Sequence, residues 1–364
     1  MTRDRASEVG AVLAVLVLGL LVGIDALTGE KVILTPMYGL APLIACAVVP
    51  PAGTAAVGVL AVAAAVASGS WNDTFGEAQH NVRVLNVLLV SAAAVTIAAV
   101  RVHREHRLEQ VEAIAEAAQR AILPVLPHRA GEVLIASRYR SAAHGALVGG
   151  DLYDCYHSEA HTRLLIGDVR GKGIAGVEQA ARVIRAFRQS AALRETLVEV
   201  AHEMDDYLAG FFGDEEFVTA LLVEVSGPGE LTLLDAGHPP PQLVRAGGGS
   251  TLVELPAGPP LGLGLGPAEY ASTTVHWGPG DRMLMYTDGL SEARDAAGRF
   301  MALTSLVPHL RDAGTLDGAL DQLLEDVAGH VPRGRLEDDL ALVLLQNVGS
   351  RPATPRPEVI EVRI

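Results

Sequence analysis

The hydrophobic rhythm of the chain changes near residue 100. Before that point four apolar runs dominate: "VGAVLAVLVLGLLVGIDAL" from Val9, "VILTPMYGLAPLIACAVV" from Val32, "AGTAAVGVLAVAAAVAS" from Ala52 and "VLNVLLVSAAAVTIAAV" from Val84. Each covers about 17 to 20 residues, the length a helix needs to cross a hydrocarbon core. They predict an all-α transmembrane bundle of about four helices over residues 1–101. A cleaved leader is the alternative for the first run, and the three runs behind it favour an anchor. The next stretch, "HREHRLEQVEAIAEAAQRAIL", spaces Leu108, Val111, Ile114 and Ala118 three or four residues apart. That spacing predicts a helical connector over 102–124, ended by Pro124 and Pro127. From 125 to 349 the period shortens. "VLIASRYRS", "FVTALLVEV", "GELTLLDAG", "PQLVRA", "DRMLMYTDG" and "LALVLLQNV" read as strands, and "GALVGGDLYDCYHS" as a strand broken by a double glycine. Two helical segments lie between Gly173 and Gly210. Strands and helices in blocks predict an α+β domain built on antiparallel sheets. The end, residues 350–364, is a proline-containing tail with no strand or helix pattern.

Charge changes the picture in two places. The formal net charge is -15 over 364 residues, with a pI near 5.2 and a mean hydropathy of +0.30. An acidic chain lacks the basic surface that a nucleic-acid partner requires, so that class is excluded. Arg3 and Arg5 precede the first run and "RVHREHR" follows the fourth, while the loop "GSWNDTFGEAQHN" carries only acidic charge. With four crossings, both ends are expected in the cytoplasm of a multi-pass cell-membrane protein. Asp25 lies near the end of its run, where it is expected to reach the interface. The only cysteines, Cys46 and Cys155, fall in different regions and predict neither a disulfide framework nor a cysteine metal site.

The candidate chemistry is carboxylate. Asp151 follows Gly149-Gly150, Asp168 ends "LLIGD", Asp288 ends "MLMYTDG", and Asp338 and Asp339 open "DDLALVLL". Singly, an Asp-Gly pair reads as a turn and the double Asp as a solvated strand start. Together they repeat one arrangement, an acid at a strand end with glycine beside three of them. Carboxylates gathered at one rim repel unless a cation neutralises them, and an all-oxygen set favours Mg²⁺ or Mn²⁺ over zinc.

"VGGDLYD", "IGDVRGKGIAG", "DAGHPPP", "GPPLGLG", "LMYTDGLSEARD" and "EDDLALVLL" stand in the order and spacing of a known family. The stretch from about 115 to 347 resembles the SpoIIE/RsbU-like branch of the metal-dependent protein phosphatases, the protein phosphatase 2C superfamily. The resemblance implies a four-layer α-β-β-α sandwich, two antiparallel sheets flanked by helices, with two Mn²⁺ or Mg²⁺ ions at one edge. Carried over motif by motif, Asp168 is the bridging ligand and Val169 offers its backbone carbonyl. Asp151 belongs to one metal's shell, Asp288 and Asp338 hold the other, and Asp339 is the next candidate at the last motif. Asp168 and Asp151 are expected to act through a metal-bound water that attacks a phosphoserine or phosphothreonine, with no covalent phosphoenzyme. Lys172 is a candidate for drawing in phosphate, or a solvated turn lysine. His238 is a candidate general acid, or a turn-stabilising histidine. Arg170 stands where the family commonly has a small residue and Leu152 where it commonly has an aromatic, and both bear on substrate fit. Arg138 and Arg140 are possible phosphate-holding residues.

The function expected is that of a membrane-anchored serine/threonine protein phosphatase. The resemblance implies a phosphorylated anti-sigma-factor antagonist as substrate, in a partner-switching pathway. The apolar stripe of the connector suits a homodimer, or a helix lying on its own domain. The alternative function is a non-catalytic membrane scaffold that uses the phosphatase fold to bind partners. A transporter is disfavoured by spans without internal charge.

Overall fold

The computed structural model describes residues 2–28, 33–142, 150–171, 173–213, 215–227, 229–264 and 269–349. The proline-containing tail and Lys172 lie outside them. The chain divides into two units, Met1–Val111 and Glu112–Ile364.

The first unit contains α1 (Thr2–Thr28), α2 (Leu40–Ala45), α3 (Pro51–Ala67) and most of the long α4 (Ala78–Ile122), whose last turns belong to the second. Among the described residues three helical stretches are long and apolar enough to cross a membrane: Arg5–Thr28, Pro51–Ser70 and Ala78–Ile122. The second of the four expected spans forms no helix of that length among the described residues. The second run makes a 3-10 turn of 5 residues, Thr35–Gly39, and then α2 of 6 residues. Together these rise less than about 20 Å, against a hydrocarbon core of about 30 Å. Pro36, Pro42 and the Pro50-Pro51 pair break the run where its hydropathy alone suggests continuity. Buried Ala14, Ala41, Ala45, Ala61 and Ala65 let the segments approach closely, while Leu16, Leu20, Leu85 and Leu89 face outward. Asp25, near the end of α1, is fully buried. It accepts hydrogen bonds from Tyr38 Oη (2.7 Å), Asn72 Nδ2 (3.1 Å), Trp71 Nε1 (3.2 Å) and the Leu34 amide.

The second unit is the expected four-layer sandwich. One sheet has the order β1-β2-β11-β10-β7-β8, formed by β1 (Arg129–Ala130), β2 (Val133–Arg140), β7 (Gln242–Val244), β8 (Ser250–Leu252), β10 (Arg282–Tyr286) and β11 (Leu340–Asn347). The other has the order β3-β4-β5-β6-β9, formed by β3 (Asp151–His157), β4 (Thr162–Val169), β5 (Val218–Gly227), β6 (Glu230–Ala236) and β9 (Ser272–His276). All pairings between these strands are antiparallel.

The central strands read as unbroken apolar runs because both of their faces are covered. Leu164, Ile166, Leu221, Val223, Ala341 and Val343 fill the space between the sheets. Their neighbours Leu165, Ala220 and Leu222 face α5 (Ile174–Leu193) and α6 (Leu197–Ala209). Leu340, Leu342 and Leu344 face α8 (Val307–Asp312) and α9 (Leu316–His330). The strand reading assigns no helix to 307–330, yet Leu316, Leu320, Leu323 and Val327 lie on one buried face of α9. Two arginines set inside apolar strands tie the helices down. Arg163, fully buried, donates to the carbonyls of Ala191, Arg194 and Glu195 at the carboxyl end of α5 and pairs with Glu224. Arg282 does the same for α8, through the carbonyls of Leu310 and Ala313. Each satisfies carbonyls that a helix end leaves open.

Candidate metal centre

Strand register brings the acids together. In the β3–β4 ladder Asp151 lies directly opposite Asp168, and across β4–β5 Asp168 lies opposite Thr219. Like charges placed opposite each other destabilise a sheet. Asp288 arrives from the other sheet, where β10 ends and the short α7 (Asp288–Ser291) begins. One carboxylate oxygen from each of Asp151, Asp168 and Asp288 lies within 4.8 Å of the others. Three convergent carboxylates make a hard, all-oxygen donor set that fits Mg²⁺ or Mn²⁺.

Asp151 is almost fully buried and accepts a hydrogen bond of 2.7 Å from Thr287 Oγ1. Burial holds its carboxyl well above the usual carboxylate range, and the charges of Asp168, Asp339 and Asp288 push the same way against the Thr287 bond. A cation at this point reverses that cost. Val169 closes β4, buried, with its amide on the Gly150 carbonyl.

The last motif divides. Asp339 is buried, accepts from Tyr139 Oη, Ser141 Oγ and the Ala142 amide, and lies close enough to Asp151 to raise it. Burial and the Asp339 charge push the Tyr139 phenol up, so it stays a donor. Asp338 is half-buried and lines a neighbouring cavity of about 550 Å³ with Gly289, Arg294 and Arg335. Neither belongs to the tight cluster of three.

The glycines beside the acids serve the backbone. A Cβ on Gly150 would stand 2.3 Å from the Val169 carbonyl oxygen, one on Gly167 2.5 Å from that of Thr219, and one on Gly289 1.9 Å from that of Asp339. Each glycine lets two chain segments close until their acids meet. After Asp168 the chain turns through Gly171 and Gly173, at φ +146° and +79°, into α5.

His238 is not placed as a proton donor. Its Nε2 hydrogen-bonds the Tyr286 carbonyl at 3.1 Å and its Nδ1 the Thr219 hydroxyl at 3.2 Å. Burial lowers its pKa to about 3, so the ring is neutral and locked, the turn-stabilising reading. Arg138 is committed to Asp317 and Asp321 on α9, at 2.8 Å each. Arg140 sits at the end of β2 opposite Leu340. Leu152 is buried against the α5–α6 layer. Sequence reading missed Thr287, Tyr139 and Gln119. Thr287 adjoins Asp288 and was within reach of the motif. Gln119 Nε2, on the last turns of α4, reaches the Asp151 carbonyl at 3.3 Å and carries no local sign of doing so.

The family model for stage II sporulation protein E, SpoIIE, matches residues 158–347, from β4 through β11. The chain belongs to the SpoIIE family. Asp151 lies just before the matched stretch. Among curated proteins the chain is similar to protein IcfG of Synechocystis sp., at 22% identity over 231 residues, 54% of this chain and 35% of the relative. Among solved structures it is similar to the RsbU and RsbW domains of a Mycobacterium tuberculosis protein, at 27% identity and a TM-score of 0.50, covering 63% of this chain and 65% of that one. The SiaA-PP2C domain of Pseudomonas aeruginosa superposes with a TM-score of 0.54 at 19% identity, covering 67% of this chain and 98% of that domain. The chain thus spans about a third of the curated relative's length. Family and fold make the second unit a SpoIIE-family domain with the four-layer fold of the PP2C domains.

Proposed function

We propose that this protein is a membrane-anchored phosphatase that hydrolyses phosphoserine or phosphothreonine in a partner protein. The observation that carries the reading is the meeting of Asp151, Asp168 and Asp288 at one rim, from two sheets, at the cost of like-charge contacts. Asp168, Asp151 and the Val169 carbonyl would hold one divalent cation. Asp168 and Asp288, with Asp338 and Asp339 as further candidates, would hold a second. Two such cations, Mn²⁺ or Mg²⁺, supply charge neutralisation and an acidified water. The chain's own part is to fix the carboxylates: Thr287 orients Asp151, and Tyr139 orients Asp339. In the reaction the P–O bond to the serine or threonine oxygen breaks, a P–O bond to water forms, and the leaving alkoxide takes a proton from solvent.

The substrate proposed is a phosphorylated anti-sigma-factor antagonist. The M. tuberculosis relative, which carries an RsbU domain beside an RsbW domain, supports a partner-switching setting. A homodimer through α4 is supported by Leu108 and Ile114, both about 60% exposed along the connector stripe. Arg101, Arg104 and Arg107, which follow the last apolar stretch, support a cytoplasmic phosphatase domain.

The test is turnover by the full chain in detergent. An aryl phosphate and a phosphoserine peptide are offered with Mn²⁺, with chelator, and to Asp168→Asn. Metal-dependent hydrolysis that the substitution abolishes is the expected result. A folded protein that binds Mn²⁺ without turning over either substrate would refute the enzyme and leave the scaffold.

A further inference from the structure

The metal cluster opens into a cavity of about 500 Å³ whose lining includes Asp168, Asp288, Thr219, His238, Phe217 and Arg170. A phosphomonoester entering it is a dianion. Two of those side chains are carboxylates, and His238 is neutral with both ring nitrogens engaged. Among the described residues lining this cavity, Arg170 is the one cationic side chain.

Its placement follows from the strand. Residues two apart on an extended chain share a face, so Arg170 projects on the side of Asp168 while Val169 points into the core. The Arg170 amide donates to the Phe217 carbonyl at 2.8 Å, which fastens the two residues side by side where β4 and β5 meet the cavity. Above that link the guanidinium lies over the Phe217 ring, 5.3 Å from its centroid. Stacking occupies the face of the guanidinium and leaves its edge N–H groups directed outward. A planar edge of paired donors fits two oxygens of one phosphoryl group. Arg138, the alternative cation, is spent on α9.

We propose that Arg170, held on Phe217, is the substrate-binding residue that hydrogen-bonds the phosphoryl oxygens of the phosphoprotein and of the product phosphate. The assignment rests on the phosphatase reading of the same site. It places the contact on the phosphoryl group itself, not on residues flanking it.

The experiment compares wild type, Arg170→Ala, Arg170→Lys and Phe217→Leu, as full chains in detergent with Mn²⁺. Binding of inorganic phosphate is measured by calorimetry, KM and kcat on an aryl phosphate and on a phosphoserine peptide, and Mn²⁺ affinity by titration. Arg170→Ala is expected to weaken phosphate binding and raise both KM values about 10- to 100-fold, the range for a hydrogen bond to a charged group. Mn²⁺ affinity stays as in wild type, Lys restores part of the loss, and Phe217→Leu gives a smaller loss of the same kind. Unchanged phosphate affinity, a defect confined to the peptide, or an equal loss of Mn²⁺ affinity would each overturn the assignment. If wild type binds Mn²⁺ but turns over nothing, the phosphatase reading fails. The calorimetry still decides whether Arg170 holds phosphate.

Discussion

Gly289 offers a substitution whose sign is decided by magnitudes. It sits in α7, immediately after Asp288, and needs no left-handed backbone. Replacing such a glycine by alanine would ordinarily stabilise a helix by about 0.5–1 kcal/mol. Here the new Cβ would meet the Asp339 carbonyl oxygen at 1.9 Å, with the Asp339 carbonyl carbon at 2.9 Å and Leu340 Cα at 3.3 Å. All three are backbone atoms and cannot rotate away. Relief takes a shift of more than about 1 Å, because non-bonded heavy atoms rest near 3.5 Å. Overpacking of this kind costs about 1–3 kcal/mol, which outweighs the helix gain. Gly289→Ala is therefore expected to destabilise the SpoIIE-family domain by about 1–2 kcal/mol, a Tm loss of about 2–8 °C for a domain of this size. The shift also moves Asp288 against Asp151 and Asp168, and a 1 Å error at a reacting centre costs about 100-fold in rate. Unfolding followed through the buried Trp277 and turnover with Mn²⁺ give the two readings. Gly314→Ala is the control, with open space around its Cβ position. A Tm equal to or above wild type for Gly289→Ala, with full turnover, would refute the claim that glycine is there for backbone approach.

Acid should unfold the domain partly through His238. Its folded pKa is about 3 against 6.5 for the free side chain, so between those values only the unfolded chain gains the proton. Stability is then lost as pH falls from about 6.5 towards 3, by up to about 1.4 kcal/mol per unit, and His238→Gln should show a shallower acid limb in denaturant titrations. Arg163→Met removes the guanidinium that pairs with Glu224 and donates to three helix-end carbonyls, and should cost about 3 kcal/mol or more in urea midpoints. An unchanged midpoint would remove the anchoring role. Asp168→Asn should raise the Tm of metal-free protein by relieving repulsion with Asp151, and should abolish the stabilisation that Mn²⁺ gives wild type, about 2.7 kcal/mol at a hundred times Kd. An N-terminal tag accessible from outside intact cells would support three crossings, and one protected there would restore an even number.

The strand core was legible because its pattern is redundant. "RLLIGDV" and "LALVLLQN" became β4 and β11 since strands covered on both faces read as continuous apolar runs. The acids were legible for a related reason, each lying where such a strand starts or stops. Hydropathy without geometry was less informative. The second apolar run has the composition of a span, but its prolines limit it to two short turns of helix. The partners of Asp25, Tyr38, Trp71 and Asn72, are 13 to 47 positions away and nothing local announces them. Gln119 and Tyr139 escaped for the same reason, since their roles exist only once α4 and β2 are laid against the acids.

The recurrence of glycine beside aspartate has a physical reading that joins fold to chemistry. A carboxylate at a strand end is ordinarily free to turn into water, and repulsion alone would drive three of them apart. Gly150, Gly167 and Gly289 remove the side chains that would hold β3, β4, β5, α7 and β11 at normal spacing. The backbones then lock by main-chain contacts, among them the Val169 amide on the Gly150 carbonyl and the Thr287 amide on the Ala341 carbonyl. The position of each acid is set by its neighbours' backbone rather than by its own preference. The cluster is consequently preformed, with its electrostatic cost borne by the two sheets, and ion binding can recover that cost without rearranging the chain. Arg170 completes the same logic: the amide link to Phe217 that closes β4 onto β5 also fixes where its guanidinium stands relative to Asp168.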